Sequence, residues 1–218
     1  FVSGQFASHL WKLKMDLNMG KVAGEMAPLP HHGGLQSMPS SSADGRLLAY
    51  AQEEPGGVSV RLRDLATSKE TALVNSYARP KVSPDGSQIA YSVFPNSIYV
   101  MPSAGGEATR LATPGEPVTQ SQIRGWTADG RRIVYWYGKP IRFALLDPKT
   151  RGSTDLIAHP KTDIYTAEMS PDQRWVAFAT QVGAQWNLWI AACPNGKAVG
   201  ENDWILVNTG SDQRPWWS

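Results

Sequence analysis

The chain has 218 residues, 41% hydrophobic and 18% charged, with 20 glycines, 16 prolines and a formal net charge of +2. This profile excludes a disordered or coiled-coil chain and fits a turn-rich all-β protein; the scattered lysines and arginines speak against a nucleic-acid partner. A single cysteine, Cys193, leaves no internal disulfide or cysteine-based metal cluster. No apolar run reaches the roughly 18–20 residues of a membrane-spanning helix, and the chain opens at Phe1 without a signal peptide or a methionine, as a segment excised from a longer protein would.

In chain order, Phe1-Val2-Ser3-Gly4 reads as the end of a strand and Leu10–Met15 as the next, with a helix over 10–19 as the competing reading. A turn at Asn18-Met19-Gly20 leads to a short strand through Ala23–Leu29. The next unit gives strands at Leu35–Ser41, Leu47–Gln52, 58–63 and Glu70–Val74, the third of them with clean period-two alternation. The same plan returns at Ala78–Ser83, Gln88–Val93, Ser97–Met101 and 108–112. It returns again at 119–127, 132–136, 141–146 and 154–158, and finally at 164–170, Trp175–Thr180, 187–192 and 204–208.

Between the first and second strand of each unit stands one motif. It is Ser83-Pro84-Asp85-Gly86 in its fullest form and recurs around Asp44, Asp129 and Asp172, so that Asp44, Asp85, Asp129 and Asp172 follow one another at intervals of 41, 44 and 43 residues. Proline presets the second turn position and glycine accepts the left-handed conformation at the last, so each motif reverses the chain. Four positions after the aspartates stand Leu48, Ile89, Ile133 and Val176, and six after stand Tyr50, Tyr91, Tyr135 and Phe178, with small residues between. A four-stranded sheet with two half-apolar faces cannot bury them alone, so such units pack side by side around an axis.

The Ser83-Pro84-Asp85-Gly86 turn, the Ile89-Ala90-Tyr91 strand, Ser97–Met101 and Gly105-Gly106-Glu107-Ala108-Thr109-Arg110-Leu111 resemble the TolB-type, WD-repeat-like β-propeller repeat of bacterial proteins. The likeness covers essentially the whole chain. It implies a β-propeller of four-stranded antiparallel blades: residues 1–30 with 210–218, then 33–75, 76–113, 116–158 and 160–209. Residues 214–218 reproduce an entering strand, with Pro215 and Trp217 in the proline and Trp126 columns, so the expectation is a five-bladed monomer closed by pairing of 213–218 with 1–5.

The repeat occurs in translocation proteins, sensor kinases, oligosaccharide lyases and prolyl-oligopeptidase-type hydrolases. A complete scaffold without a complete catalytic constellation reads as a non-enzymatic module binding a protein or peptide, with a lyase or an accessory propeller of a hydrolase as alternatives, and the resemblance implies a periplasmic rather than cytoplasmic setting. Among the residues themselves, the aspartates read as turn caps rather than a catalytic or calcium set. Trp126, Trp175 and Trp217 read as core, whereas Trp136, Trp186 and Trp189 are freer to form surface platforms. His9, His31, His32 and His159 lack metal spacing beyond one adjacent pair, and no Gly-x-Ser-x-Gly elbow or phosphate loop occurs. No cofactor, metal or catalytic set follows. The innermost strands would line an axial channel with Arg79, Lys81, Gln122, Arg124, Glu168 and Arg214, a mainly basic set suited to an acidic peptide.

Overall fold

A computed structural model of the chain describes residues 8–16, 18–30, 34–76, 78–111, 120–210, 215 and 217. Near the N-terminus β1 (Trp11–Lys12) pairs with β4 (Ala27–Pro28) and β2 (Met15–Asp16) with β3 (Lys21–Val22), so the single strand expected at Leu10–Met15 is two short strands, and the competing helix over 10–19 does not form among the described residues. Four four-stranded antiparallel sheets follow. They are β5 (Leu35–Ser41) to β8 (Glu70–Val74) through β6 (Leu47–Glu54) and β7 (Gly57–Asp64), and then β9 (Ala78–Val82), β10 (Gln88–Val93), β11 (Ser97–Pro102) and β12 (Thr109–Leu111). The last two are β13 (Ser121–Trp126), β14 (Ile133–Tyr137), β15 (Arg142–Leu146), β16 (Ser153–Ile157) and β17 (Ile164–Met169), β18 (Trp175–Val182), β19 (Gln185–Ala192), β20 (Ile205–Gly210). Two short 3-10 turns, Pro194–Gly196 and Glu201–Asp203, are the helical content of the described residues.

Each sheet runs up and down in sequence order, because every connection is a hairpin. The turn motif shows why Ser or Thr belongs two residues before each aspartate. The hydroxyls of Ser42, Ser83, Thr127 and Ser170 donate to Asp44, Asp85, Asp129 and Asp172 at 2.5–2.6 Å. The same hydroxyls accept the backbone N–H of Leu47, Gln88, Arg132 and Trp175 at 2.9–3.0 Å. The carboxylates in turn accept the N–H of Arg46, Ser87, Arg131 and Arg174. Three of these turns end on glycine at φ 68–73°, and the fourth forces Gln173 to φ 60°.

Burial follows the columns read from the sequence. The core is a series of slabs, one between each pair of neighbouring sheets. Tyr91, Ile89 and Val82 belong to the slab shared with Ala49, Val60 and Leu62; Ile133 and Tyr135 pack with Ile98 and Leu111; Val176 and Phe178 pack with Phe143, Leu145 and Leu156. A smaller slab joins Leu10 and Leu29 to Leu48 and Tyr50. The column tyrosines also cross their own sheet: Tyr50 donates to Glu70 at 2.5 Å and Tyr135 meets Ser153 at 2.9 Å. Phe178 has no hydroxyl, and the edge of Trp204 fills the corresponding place, with ring centroids 4.7 Å apart.

Sheets are also tied by backbone bonds at matching places. The N–H at the start of β13 (Ser121) donates to Pro95, that of β17 (Ile164) to Ile141, and that of Gln36 in β5 to Ser8, all at 2.9–3.0 Å. The acceptors Pro95 and Ile141 lie in the second-to-third-strand hairpins, which gives Ser8 the same place in the unit before β5. Strand β20 and the hairpin bearing Trp11, Leu13, Met15, Val22 and Met26 are exposed. The strand expected at Phe1-Val2-Ser3-Gly4 and the pairing of 213–218 with 1–5 lie outside the described residues, apart from Pro215 and Trp217.

Three tryptophan expectations are corrected, the first being Trp136, which packs against the core instead of standing free. Trp175 stands 36% exposed because it is the first residue after its turn, at the rim and beyond the neighbouring sheet. Trp189 is not a free platform: it packs against the core and donates its indole N–H to Thr180 at 3.0 Å.

Candidate ligand-binding channel

The first strand of each four-stranded sheet lies innermost, and period-two alternation decides what it presents. In β9 the residues Ala78, Pro80 and Val82 are buried toward the neighbouring sheets, leaving Arg79 and Lys81 on the other face. In β13 a register shift between Ile123 and Gly125 accompanies Arg124, and in β17 a shift between Ile164 and Thr166 precedes Glu168. These bulges aim side chains that a regular pleat would place differently.

The result is a cavity of about 490 Å³ on the axis, lined by Arg79, Lys81, Arg124 and Glu168 together with Tyr165 and Trp186. Met38 of β5 and Pro215 also reach it. A second recess of about 280 Å³ shares Arg124 and Glu168 and continues toward the aspartate-turn rim past Trp126 and Trp217. Tyr165 and Trp186 meet edge to face, centroids 4.9 Å apart, and form an aromatic wall.

Three cations thus face one carboxylate, and none of the four forms an ion pair with another described residue. Burial pulls the Lys81 ammonium below its ordinary range, with Arg124 and Arg79 adding repulsion and Glu168 opposing. Burial pushes Glu168 above the usual carboxylate range despite the pull of Arg124 and Lys81. For both groups the loss of water outweighs the partner charges at their present separation. An incoming carboxylate would meet cations whose hydration is already reduced, so each contact is worth more there than on the open surface.

Of the six residues expected to line the channel, the structure brings four together. Gln122, half-buried on the same strand as Arg124, is not among the lining residues, and Arg214 lies outside the described residues. Sequence reading missed Tyr165 and marked Trp186 as a platform without placing it in the channel; their pairing joins a first strand to the third strand of the same sheet. It also missed the anchoring behind the cations. The indole of Trp126 donates to the Lys81 carbonyl and that of Trp217 to the Glu168 carbonyl, both at 2.9 Å.

Other titratable clusters are internally paired. Glu70 holds Arg61 and Arg63 and accepts from Tyr50 within one sheet. His159 lies outside the channel lining, where its Nδ1 accepts the N–H of Lys161 and Thr162 and its Nε2 meets Glu201 at 3.0 Å. His31 and His32 fall outside the described residues, and no metal-binding group of His, Cys, Asp or Glu occurs among those described.

The sheet order, hairpin connections and shared axis can be set beside solved structures. TolB from Acinetobacter baumannii superposes with a TM-score of 0.66 over 93% of this chain and 50% of that one, at 17% identity. The fold is that of a β-propeller, similar to TolB. An oligogalacturonate lyase in complex with manganese shares it at a TM-score of 0.62 and 16% identity, over 85% of this chain and 57% of the other. In sequence, the chain is 29% identical over 154 residues to Tricorn protease homolog 1 of Streptomyces coelicolor, covering 63% of this chain and 14% of that protein's length. No family model matches the chain. The chain thus spans 14% of its sequence relative and half of the Acinetobacter TolB, and proteins of different activity share its fold.

Proposed function

We propose that this propeller is a non-enzymatic binding module whose axial channel receives an acidic peptide segment of a protein partner. The observation that carries the reading is the convergence of Arg79, Lys81 and Arg124 on one cavity against the single carboxylate of Glu168. The aromatic wall of Tyr165 and Trp186 offers apolar contact beside the cations, the mixture of a few polar groups on an apolar lining that binding sites use. The test is a titration with tetraglutamate at fixed ionic strength, with tetralysine as the control. Arg124→Gln and Arg79→Gln should each weaken tetraglutamate binding about tenfold, and Glu168→Gln should strengthen it. Equal binding of the two peptides, or indifference to all three substitutions, would overturn the reading.

The identity to a tricorn protease homolog supports a second reading, in which the propeller is the accessory module of a peptidase. Both readings give the channel the same guest. They part on the whole gene product, which cleaves a bound peptide in the second and leaves it intact in the first.

A further inference from the structure

In three sheets the third and fourth strands are joined by the short connections 65–69, 103–108 and 147–152, but between β19 and β20 the link runs from Cys193 to Trp204. This longer segment folds back on the preceding sheet. Ala198 donates its N–H to the Leu156 carbonyl at 2.8 Å, Trp204 closes onto Val199, and Glu201 reaches His159. Loops that depart from a repeat are where binding surfaces arise on a rigid scaffold. Between this segment and the two adjoining aspartate turns lies a recess of about 700 Å³, on the rim rather than on the axis.

Arg132 is the feature of the recess that the repeat does not require. The matching positions after the other turns hold Leu47, Gln88 and Trp175. The Arg132 guanidinium lies so close over Gly196 that a Cβ built there would come within 2.7 Å of Nη1, and Gly196 also sits at φ 78°. Side chain and glycine are therefore fitted to each other. Arg132 is half-buried, yet its guanidinium makes no hydrogen bond or ion pair with a described residue. The nearby acids are engaged elsewhere: Asp129 with Thr127, and Asp172 with Ser170 and Arg174. The recess carries Arg174 as a second cation, no carboxylate in its lining, and an apolar side made by Trp175, Ala192, Cys193 and Pro194. A half-buried guanidinium without a partner among the described residues keeps its donors available to an incoming anion.

We propose that this rim recess is a second binding site, distinct from the channel, for an oxyanion attached to a flat apolar group. A carboxylate or phosphate pairs with Arg132, and the apolar part lies against Trp175. Arg174, already tied to Asp172, adds to the field rather than forming the main contact. The chemistry fits a free aryl carboxylate or phosphate as well as an acidic side chain presented beside an aromatic one.

The experiment is titration of the 218-residue chain with phenyl phosphate and with benzoate at constant ionic strength. It is followed by calorimetry and by the Trp175 indole resonance, identified by its loss in Trp175→Phe. One saturable site for at least one probe, with a shift of that resonance, is expected. Arg132→Gln should weaken binding at least tenfold with an unchanged circular-dichroism spectrum, and inorganic phosphate should bind at least fivefold more weakly than phenyl phosphate. A free dipeptide of glutamate and phenylalanine distinguishes the sources: binding tighter than benzoate assigns the site to a protein side chain, and weaker binding assigns it to a small molecule. No saturation with either aryl probe, an unmoved Trp175 resonance, or loss of binding in Arg124→Gln instead of Arg132→Gln would overturn the proposal. The resonance readout stands on the unmodified recess, so it decides the matter even if Arg132→Gln fails to fold.

Discussion

The indole nitrogen of Trp126 donates to the backbone carbonyl of Lys81 at 2.9 Å, across the boundary between two sheets. Trp217 makes the same bond to Glu168, so in both cases an indole braces the strand segment that presents a channel charge. Trp126→Phe keeps most of the packing and deletes the donor. The expected loss is about 0.5–1.5 kcal/mol, the net worth of one such bond. Chemical denaturation measures it, and an unchanged midpoint would mean that the brace does not form in solution.

The column tyrosines separate packing from hydrogen bonding. Tyr91 is buried and stacks on Tyr99 with centroids 5.2 Å apart, while its hydroxyl makes no hydrogen bond to a described residue. Tyr91→Ala should cost about 3–5 kcal/mol, and Tyr91→Phe should be near neutral. Tyr50→Phe should cost about 1–3 kcal/mol, because it removes a donor from Glu70. Equal effects of the two phenylalanine substitutions in a denaturation series would refute this division.

The aspartate turns predict how stability responds to acid. Asp85 accepts from Ser83 Oγ, Ser87 N and Ser87 Oγ, and these bonds hold its carboxyl down at about 2, below the ordinary value of 3.8. A depressed folded value means that the stabilisation is complete above the unfolded value and is lost as pH falls through the folded one. The stability gap between the native chain and Asp85→Asn should therefore be constant above about pH 5 and should close between pH 3.8 and about 2. A gap that persists undiminished at pH 2 would contradict the carboxylate role.

Gln173 occupies the left-handed position that glycine holds in the other three turns. Its side chain also bonds Asp129 on the neighbouring turn and so links two sheets at the rim. Gln173→Ala keeps the backbone strain and removes the link, whereas Gln173→Gly removes both. The glycine variant should thus be the more stable of the two by about 1 kcal/mol. Thermal unfolding that ranks alanine above glycine would show that the backbone strain is not carried at this residue.

The sequence alone determined the architecture. Its repeating Ser/Thr-x-Asp turn and the aliphatic, small and aromatic columns after it act within a few residues, where sterics and hydrogen bonding are local. The four complete sheets appeared within a residue or two of their expected bounds, and Arg79 and Lys81 share a face because period-two alternation is readable along one strand, whereas the bulges beside Arg124 and Glu168 are not. Only the tertiary structure could pair Tyr165 with Trp186, brace Lys81 with Trp126, or set the Arg132 guanidinium over Gly196. Those relationships join residues 21 to 64 positions apart through bulges and a connection that departs from the repeat. No periodicity encodes them: they depend on how neighbouring sheets tilt against one another and where an irregular loop comes to rest.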